Sequence, residues 1–221
     1  MSVTMDNPKN LKFVGGVLCL DFVNTVGGRA SLVSAKRGRD YADAIITEKL
    51  DAYDDLLLWS ELGGMISRRE GKALAERAVA HPREAAAVLA RARALRESLY
   101  RIFRCSVEKW RPEEADLDVL GKELAIARDH ERLRLADAGF TWAWDADAEA
   151  LDRMLWPVAR SAAELLTSGD LPRVRQCGSD RCRWMFLDTS RNRSRQWCDM
   201  KDCGNLAKVR RFRERAKASS D

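Results

Sequence analysis

The chain has 221 residues with a formal net charge of +5, and its 46% hydrophobic and 33% charged residues match a globular protein. No apolar run approaches the roughly 20 residues that a membrane span requires, and the N-terminus lacks the pattern of a secretory signal peptide. We therefore expect a cytoplasmic protein with no membrane partner.

The first 30 residues combine apolar stretches with glycine pairs, and their pattern does not separate strand from helix. Polar side chains interrupt this apolar segment at Asp21, Asn24, Thr25 and Arg29. They line a pocket for a small-molecule effector, or they cap a helix and satisfy buried backbone groups. The second interpretation is favoured.

Helical periodicity dominates from about residue 51. Ser67 and Glu70 form a capping box at the start of one helix, and Pro82 suits the first turn of the next. Alternating residues between Leu133 and Trp144 predict a β-hairpin. The predicted helices cover residues 51–62, 67–79, 82–110, 117–124 and 151–166.

These elements predict a mainly α fold with small β-hairpins (α+β), divided into a mostly helical N-terminal domain at residues 1–170 and a basic module at residues 171–221. The module holds 14 Lys and Arg against six Asp and Glu, whereas the preceding residues hold 25 against 28. A neutral or acidic body with a basic appendage is typical of proteins that bind a polyanion.

Four of the six cysteines form two Cys-x4-Cys pairs, Cys177 with Cys182 and Cys198 with Cys203. Two short loops that each supply two thiolates suit the tetrahedral geometry of Zn²⁺. A disulfide framework is disfavoured in the cytoplasm. We predict one structural zinc ion per chain, since four thiolates leave no open coordination position. The lone Cys19 and Cys105 are predicted to be small buried apolar residues.

The module is predicted to be treble-clef-like, with a hairpin within residues 183–197. Asp202 would cap the following helix and place Cys203 in its first turn. One side of that helix would pack on the hairpin through Leu206, Val209, Phe212 and Ala216. The other side and the hairpin tip would present cations that neutralise the phosphates of a nucleic-acid backbone, or that form a solubilising face. These cations are Arg191, Arg193, Arg195, Lys208, Arg211 and Arg215.

The run Cys198-x4-Cys203-Gly204-Asn205, followed by residues 207–212, resembles the CGNR zinc-finger family. Residues 18–25, Leu-Cys-Leu-Asp-Phe-Val-Asn-Thr, resemble the N-terminal motif of the ABATE domain that precedes this finger. The resemblance implies a bacterial, stress-induced transcription regulator whose finger binds DNA. Leu206 stands where the family has Arg, so a contact made by that Arg is absent here.

The leading hypothesis is a zinc-dependent DNA-binding regulator whose N-terminal domain senses a ligand or forms a homodimer. The alternatives are a zinc module for RNA or protein interaction and, with less support, an enzyme in the N-terminal domain. The two histidines, His81 and His130, lie beside no evident nucleophile, and no phosphate-binding loop or His-Glu-x-x-His pattern occurs. We expect no enzymatic activity.

Overall fold

The computed structural model describes residues 7–31, 43–137, 139–145 and 150–218. The helices are α1 Leu18–Val23, α2 Tyr53–Leu62, α3 Arg68–Ala80, α4 Pro82–Glu108, α5 Glu114–Asp129, α6 Leu155–Thr167 and α7 Asn205–Ala218. The strands are β1 Arg29–Ser31, β2 Asp43–Ile45, β3 Glu131–Ala136, β4 Gly139–Trp144, β5 Val174–Gln176 and β6 Met185–Leu187. Consecutive strands pair antiparallel as β1–β2, β3–β4 and β5–β6. The expected mainly helical fold with small hairpins is confirmed.

The helical body forms where local sequence signals predict it. The Ser67 N–H donates to the Glu70 carboxylate at 2.7 Å, and the Glu70 N–H donates to Ser67 Oγ at 3.3 Å, which completes the capping box of α3. Pro82 opens α4, whose buried face runs from Ala85 to Phe103. In the described ranges, no helix combines the length and apolar character needed to cross a bilayer.

The N-terminal segment, whose sequence pattern did not separate strand from helix, contains the short buried helix α1. Five of its six residues are buried, and it packs against α4, α6 and β6. Cys19 is fully buried as predicted, and burial raises the pKa of its thiol to about 12. Cys105 is only partly buried.

The hairpin predicted within residues 183–197 is wrong. Strand β6 pairs with β5, on the other side of the first cysteine pair. After β6, the Asp188 carboxylate accepts hydrogen bonds from the N–H groups of Ser190 and Arg195, at 2.9 and 3.0 Å. These bonds fold the following residues into a compact loop, so no returning strand forms.

The start of α7 also differs from the prediction. A π-helical turn, Met200–Gly204, precedes the helix and contains Cys203. Asp199 caps this turn by accepting from the Lys201 N–H at 2.8 Å, whereas Asp202 forms an ion pair with Lys12. The assignment of the cap to Asp202 is therefore wrong.

The apolar side of α7 does not pack on a hairpin. Leu206, Val209 and Phe212 are 69%, 47% and 73% exposed, while the side chain of Ala216 lies outside the described residues. The β5–β6 hairpin packs against the body through β6–α1 and β5–α4 contacts. The hairpin surface that faces α1 and α4 is therefore not available to α7.

The two predicted domains share core residues. Val174, Met185 and Leu187 belong to the same buried cluster as the helices of the body. On the free side of β6, the Asn24 amide donates to the Met185 carbonyl at 2.8 Å and accepts from the Met185 N–H at 2.9 Å. The Leu187 N–H donates to the Gly15 carbonyl at 2.7 Å. The division into two domains at residue 170 stays a prediction. Residues on both sides of that boundary share one core and bond directly to each other.

We expect Asn24→Ala to lower the free energy of unfolding by about 2–4 kcal/mol, because it leaves two buried backbone groups of Met185 unpaired. Urea denaturation of the zinc-loaded protein measures the change. The control Asn192→Ala, in an exposed loop, should shift stability by less than about 0.5 kcal/mol. An Asn24→Ala variant as stable as the native protein would contradict this role.

Candidate metal centre

The four predicted cysteines converge on one point of the structure. The sulfur atoms of Cys177, Cys182, Cys198 and Cys203 all lie within 4.8 Å of one another. The Cys182–Cys198 and Cys198–Cys203 sulfur pairs are 3.5 and 3.8 Å apart. A tetrahedron with Zn–S bonds of about 2.3 Å has edges of about 3.8 Å. The donor set and its spacing therefore fit one structural zinc ion.

The thiols compete for negative charge because they are buried beside one another. The neighbouring thiols of Cys182 and Cys198 lower the pKa of Cys177, while their contact with Cys177 raises the pKa of Cys182 and of Cys198. Backbone N–H groups of Ser179 and Trp184 point at the sulfurs of Cys177 and Cys182. A divalent cation removes the competition, because it stabilises all four thiolates together.

The cysteine loops are seated on the N-terminal segment. The Trp184 indole Nε1–H donates to the Val26 carbonyl at 3.1 Å, and the Arg29 N–H donates to the Cys182 carbonyl at 3.1 Å. Gly28 has a φ of +129°, and a Cβ atom there would overlap the Arg181 carbonyl. Residues 14–29, which we call the socket, thus hold the metal loops, and at Gly28 the two backbones lie closer than a side chain would allow.

Two lysines of the body lie near the metal centre. The Lys49 ammonium donates to the Asn10 carbonyl at 2.6 Å and lies 5.3 Å from the centre of the Trp184 ring. Burial lowers the pKa of Lys49, and the nearby charge of Cys182 opposes that shift. Lys12 pairs with Asp202, one residue before Cys203. Lys49 partly balances the net −2 that four thiolates and one Zn²⁺ would carry, whereas the charge of Lys12 is matched by Asp202.

The four residues expected either to line a pocket or to satisfy buried groups are all buried and bonded within the protein. Asp21 accepts from the Gly15 N–H at 2.7 Å, and Thr25 Oγ1 donates to the Phe22 carbonyl at 2.7 Å. Asn24 holds β6, as described above. Asp21, Asn24 and Thr25 thus bond backbone groups, and the ligand-pocket assignment stays a prediction.

Arg29 belongs to a buried ionic network with two residues of α4. Its guanidinium forms two bonds to the Glu97 carboxylate, at 2.6 and 2.9 Å, and lies 3.8 Å from the centre of the Tyr100 ring. Arg96, equally buried, bonds Glu48 at 2.6 and 2.7 Å and the Thr25 carbonyl at 3.2 Å. This network fixes the socket against α4.

The predicted nucleic-acid residues fall into two groups. Arg191 and Arg193 are exposed in the loop after β6, and Lys208, Arg211 and Arg215 are exposed on α7. Arg195 instead turns inward. Its guanidinium lies 4.5 Å from the centre of the Phe186 ring and donates to the carbonyls of Trp197 and Cys198. Arg195 thereby supports the second cysteine loop.

The sequence did not identify the buried charged residues around the socket. Glu48, Arg96 and Glu97 hold the socket against α4, and Lys49 lies against Trp184 of the zinc module. Their partners lie tens of residues away, so no local spacing identifies them. The one available signal is Arg96-Glu97 within the apolar periodicity of α4, where a charged pair indicates a buried partner.

Two family models match the chain in the order that the sequence analysis expected. ABATE, described as "Putative stress-induced transcription regulator", matches residues 16–169. The CGNR zinc finger matches residues 173–216, which include all four clustered cysteines. The search of curated proteins found no match.

Replacing Cys203 with Ser should reduce bound zinc below one ion per chain and also loosen the socket. The free energy of zinc binding stabilises the folded cysteine loops. Residues 14–29 bond directly to these loops, so loss of the metal should destabilise those residues as well. Elemental analysis and hydrogen exchange measure both effects. Cys105→Ser should leave both unchanged, and a socket that keeps native protection in Cys203→Ser would refute the coupling.

Burial raises the pKa of Asp21 to about 6, although backbone N–H groups of Gly15 and Val14 oppose the shift. Between about pH 4 and pH 6 the folded chain binds more protons at Asp21 than the unfolded chain, so stability falls as pH rises. We expect the stability gain of Asp21→Asn to grow by about 1 kcal/mol from about pH 5 to about pH 7.5. Urea denaturation measures this gain, and a pH-independent gain would contradict the shift.

Proposed function

Because the chain belongs to the ABATE family and carries a CGNR zinc finger, we propose that it is a zinc-dependent DNA-binding protein that regulates transcription. One observation carries the proposal. Helix α7 leaves the metal centre as an exposed cationic helix, with the π-helical turn as its chief contact among the described residues.

The charge of α7 suits a phosphate backbone. Its fourteen residues include six Lys or Arg and one Glu. Lys208, Arg211 and Arg213 are among its exposed cations. Each phosphate that such a side chain neutralises releases condensed counterions, which supplies sequence-independent affinity for nucleic acid.

The metal centre gives these cations a defined position. Cys203 lies two residues before α7, so the zinc ligand fixes the base of the helix. Arg191 and Arg193 lie in the loop between β6 and Cys198, and Cys198 is another of the four zinc ligands. Two elements held by one ion therefore present cations from separate points, as contact with successive phosphates requires.

A zinc module for protein or RNA interaction is the second candidate. The exposed apolar side chains of Leu206, Val209 and Phe212 favour a protein partner, because phosphates do not cover apolar surface.

The first proposal, a DNA-binding regulator, assigns ligand sensing or dimerisation to the N-terminal region. It assigns no catalytic role to the chain and places the protein in the cytoplasm.

We expect the double variant Lys208→Gln/Arg211→Gln to bind duplex DNA more weakly and with a lower dependence on salt. Each lost phosphate contact should reduce the slope of log K against log salt by about 0.9. Fluorescence anisotropy at several salt concentrations measures affinity and slope. Zinc content should stay at one ion per chain, because both side chains are exposed on α7 and neither belongs to the donor set.

Lys72→Gln/Lys122→Gln is the charge-matched control, since both lysines are exposed on the body. It should leave the slope unchanged. A slope near zero for the native protein, or equal losses in the two double variants, would contradict the proposal. Preferential competition by single-stranded RNA or an acidic peptide over duplex DNA would favour the second candidate.

A further inference from the structure

The β3–β4 hairpin exposes one continuous apolar face. Leu133 pairs with Trp142 and Leu135 pairs with Phe140 across the two strands. These four side chains are 57%, 54%, 78% and 75% exposed, respectively. Directly opposed residues share a face of the sheet, so all four lie on the same side.

The opposite face of the hairpin is polar. It carries Arg132, Arg134 and Thr141, which alternate with the apolar residues along the strands. Arg132 is bound there to Asp145 at 2.8 Å. A two-stranded sheet with one polar and one apolar face normally packs the apolar face against a core. Here most of that face points into solvent.

The face is continuous with the core at one end and is held in place there. Trp144 ends the apolar row, and its ring lies 6.0 Å from that of Trp156, which is buried. Trp156 stacks in turn on His130 at 3.8 Å. Six residue pairs keep the hairpin in register. The surface is therefore preformed, which lowers the entropic cost of covering it.

The size of the face bears on what could cover it. An aromatic side chain offers about 150–250 Å² for burial, so Phe140 and Trp142 alone expose roughly 250 Å². With the two leucines, the face reaches the roughly 300–600 Å² of the largest patches on monomers, which are often functional. Two such faces together approach the roughly 1,000 Å² of a small specific interface.

We propose that this face binds the same face of a second copy of the chain and forms a twofold-symmetric dimer. The four outermost side chains of the face carry no charge, so the face selects neither an acidic nor a basic partner. A twofold interface places the same surface on both copies, and an uncharged apolar surface meets its own copy without charge repulsion. Self-association of α7 is less suitable, because two copies of that cationic helix repel each other.

The dimer proposal does not depend on DNA binding. If both proposals hold, the dimer carries two zinc modules related by the twofold axis, and it would engage paired half-sites. The test contains no DNA, so its outcome is independent of the phosphate contacts on α7.

Sedimentation velocity of the full-length, zinc-loaded protein tests the proposal at up to about 100 µM chain, which detects dissociation constants up to that value. We expect a concentration-dependent dimer. Leu135→Lys and Leu135→Glu should each sediment as monomers where the native chain is dimeric, because each buries an unpaired charge. An equimolar mixture of the two should recover the dimer, a result that misfolded variants would not give.

Thr141→Lys is the matched control, since it adds the same charge to the opposite face of the same hairpin. It should leave the dimer intact, as should Phe212→Lys on α7. The proposal is overturned by a native chain that stays monomeric, by a dimer that survives both Leu135 variants, by a mixture that stays monomeric, or by a Phe212→Lys variant that abolishes association.

Discussion

The attachment of the zinc module to the socket is the contact on which the rest of the structure depends. Buried polar groups make this attachment, and each has its partner on the other segment. Asn24 completes the bonding of β6, the Val26 carbonyl accepts from Trp184, and the backbone of Arg29 bonds the first cysteine loop. Separating the segments would leave these groups unpaired, so the metal centre and the helical body stabilise one another.

Most of the helical body could be predicted from the sequence because its signals are local. The capping box at Ser67 and the proline at Pro82 each fix a helix start within one turn. The two cysteine pairs indicate a zinc ion, since two short loops with two thiolates each suit its tetrahedral geometry. The β3–β4 hairpin follows from alternation around a short turn.

The remaining features depend on partners distant in sequence. The sequence of β6 is typical of the first strand of a local hairpin. In the structure the Asp188 carboxylate binds the N–H groups of Ser190 and Arg195 and folds the following residues into a loop instead. Arg195 looks like its exposed neighbour Arg193 in the sequence, yet it folds over Phe186. The apolar side of α7 predicts packing, but the body already covers the hairpin that would receive it. Periodicity shows which side of an element is apolar and not what covers that side.

The pairing of Asn24 with Met185 also constrains how the chain folds during synthesis, since 161 residues separate the two. Ribosomes add about 5–20 residues per second, so the amide of Asn24 stays hydrated for roughly 10–30 s before β6 emerges. The core around α1 can be completed only after β6 has been made, because Met185 and Leu187 belong to that core. Completion of the N-terminal fold thereby reports that translation has passed β6.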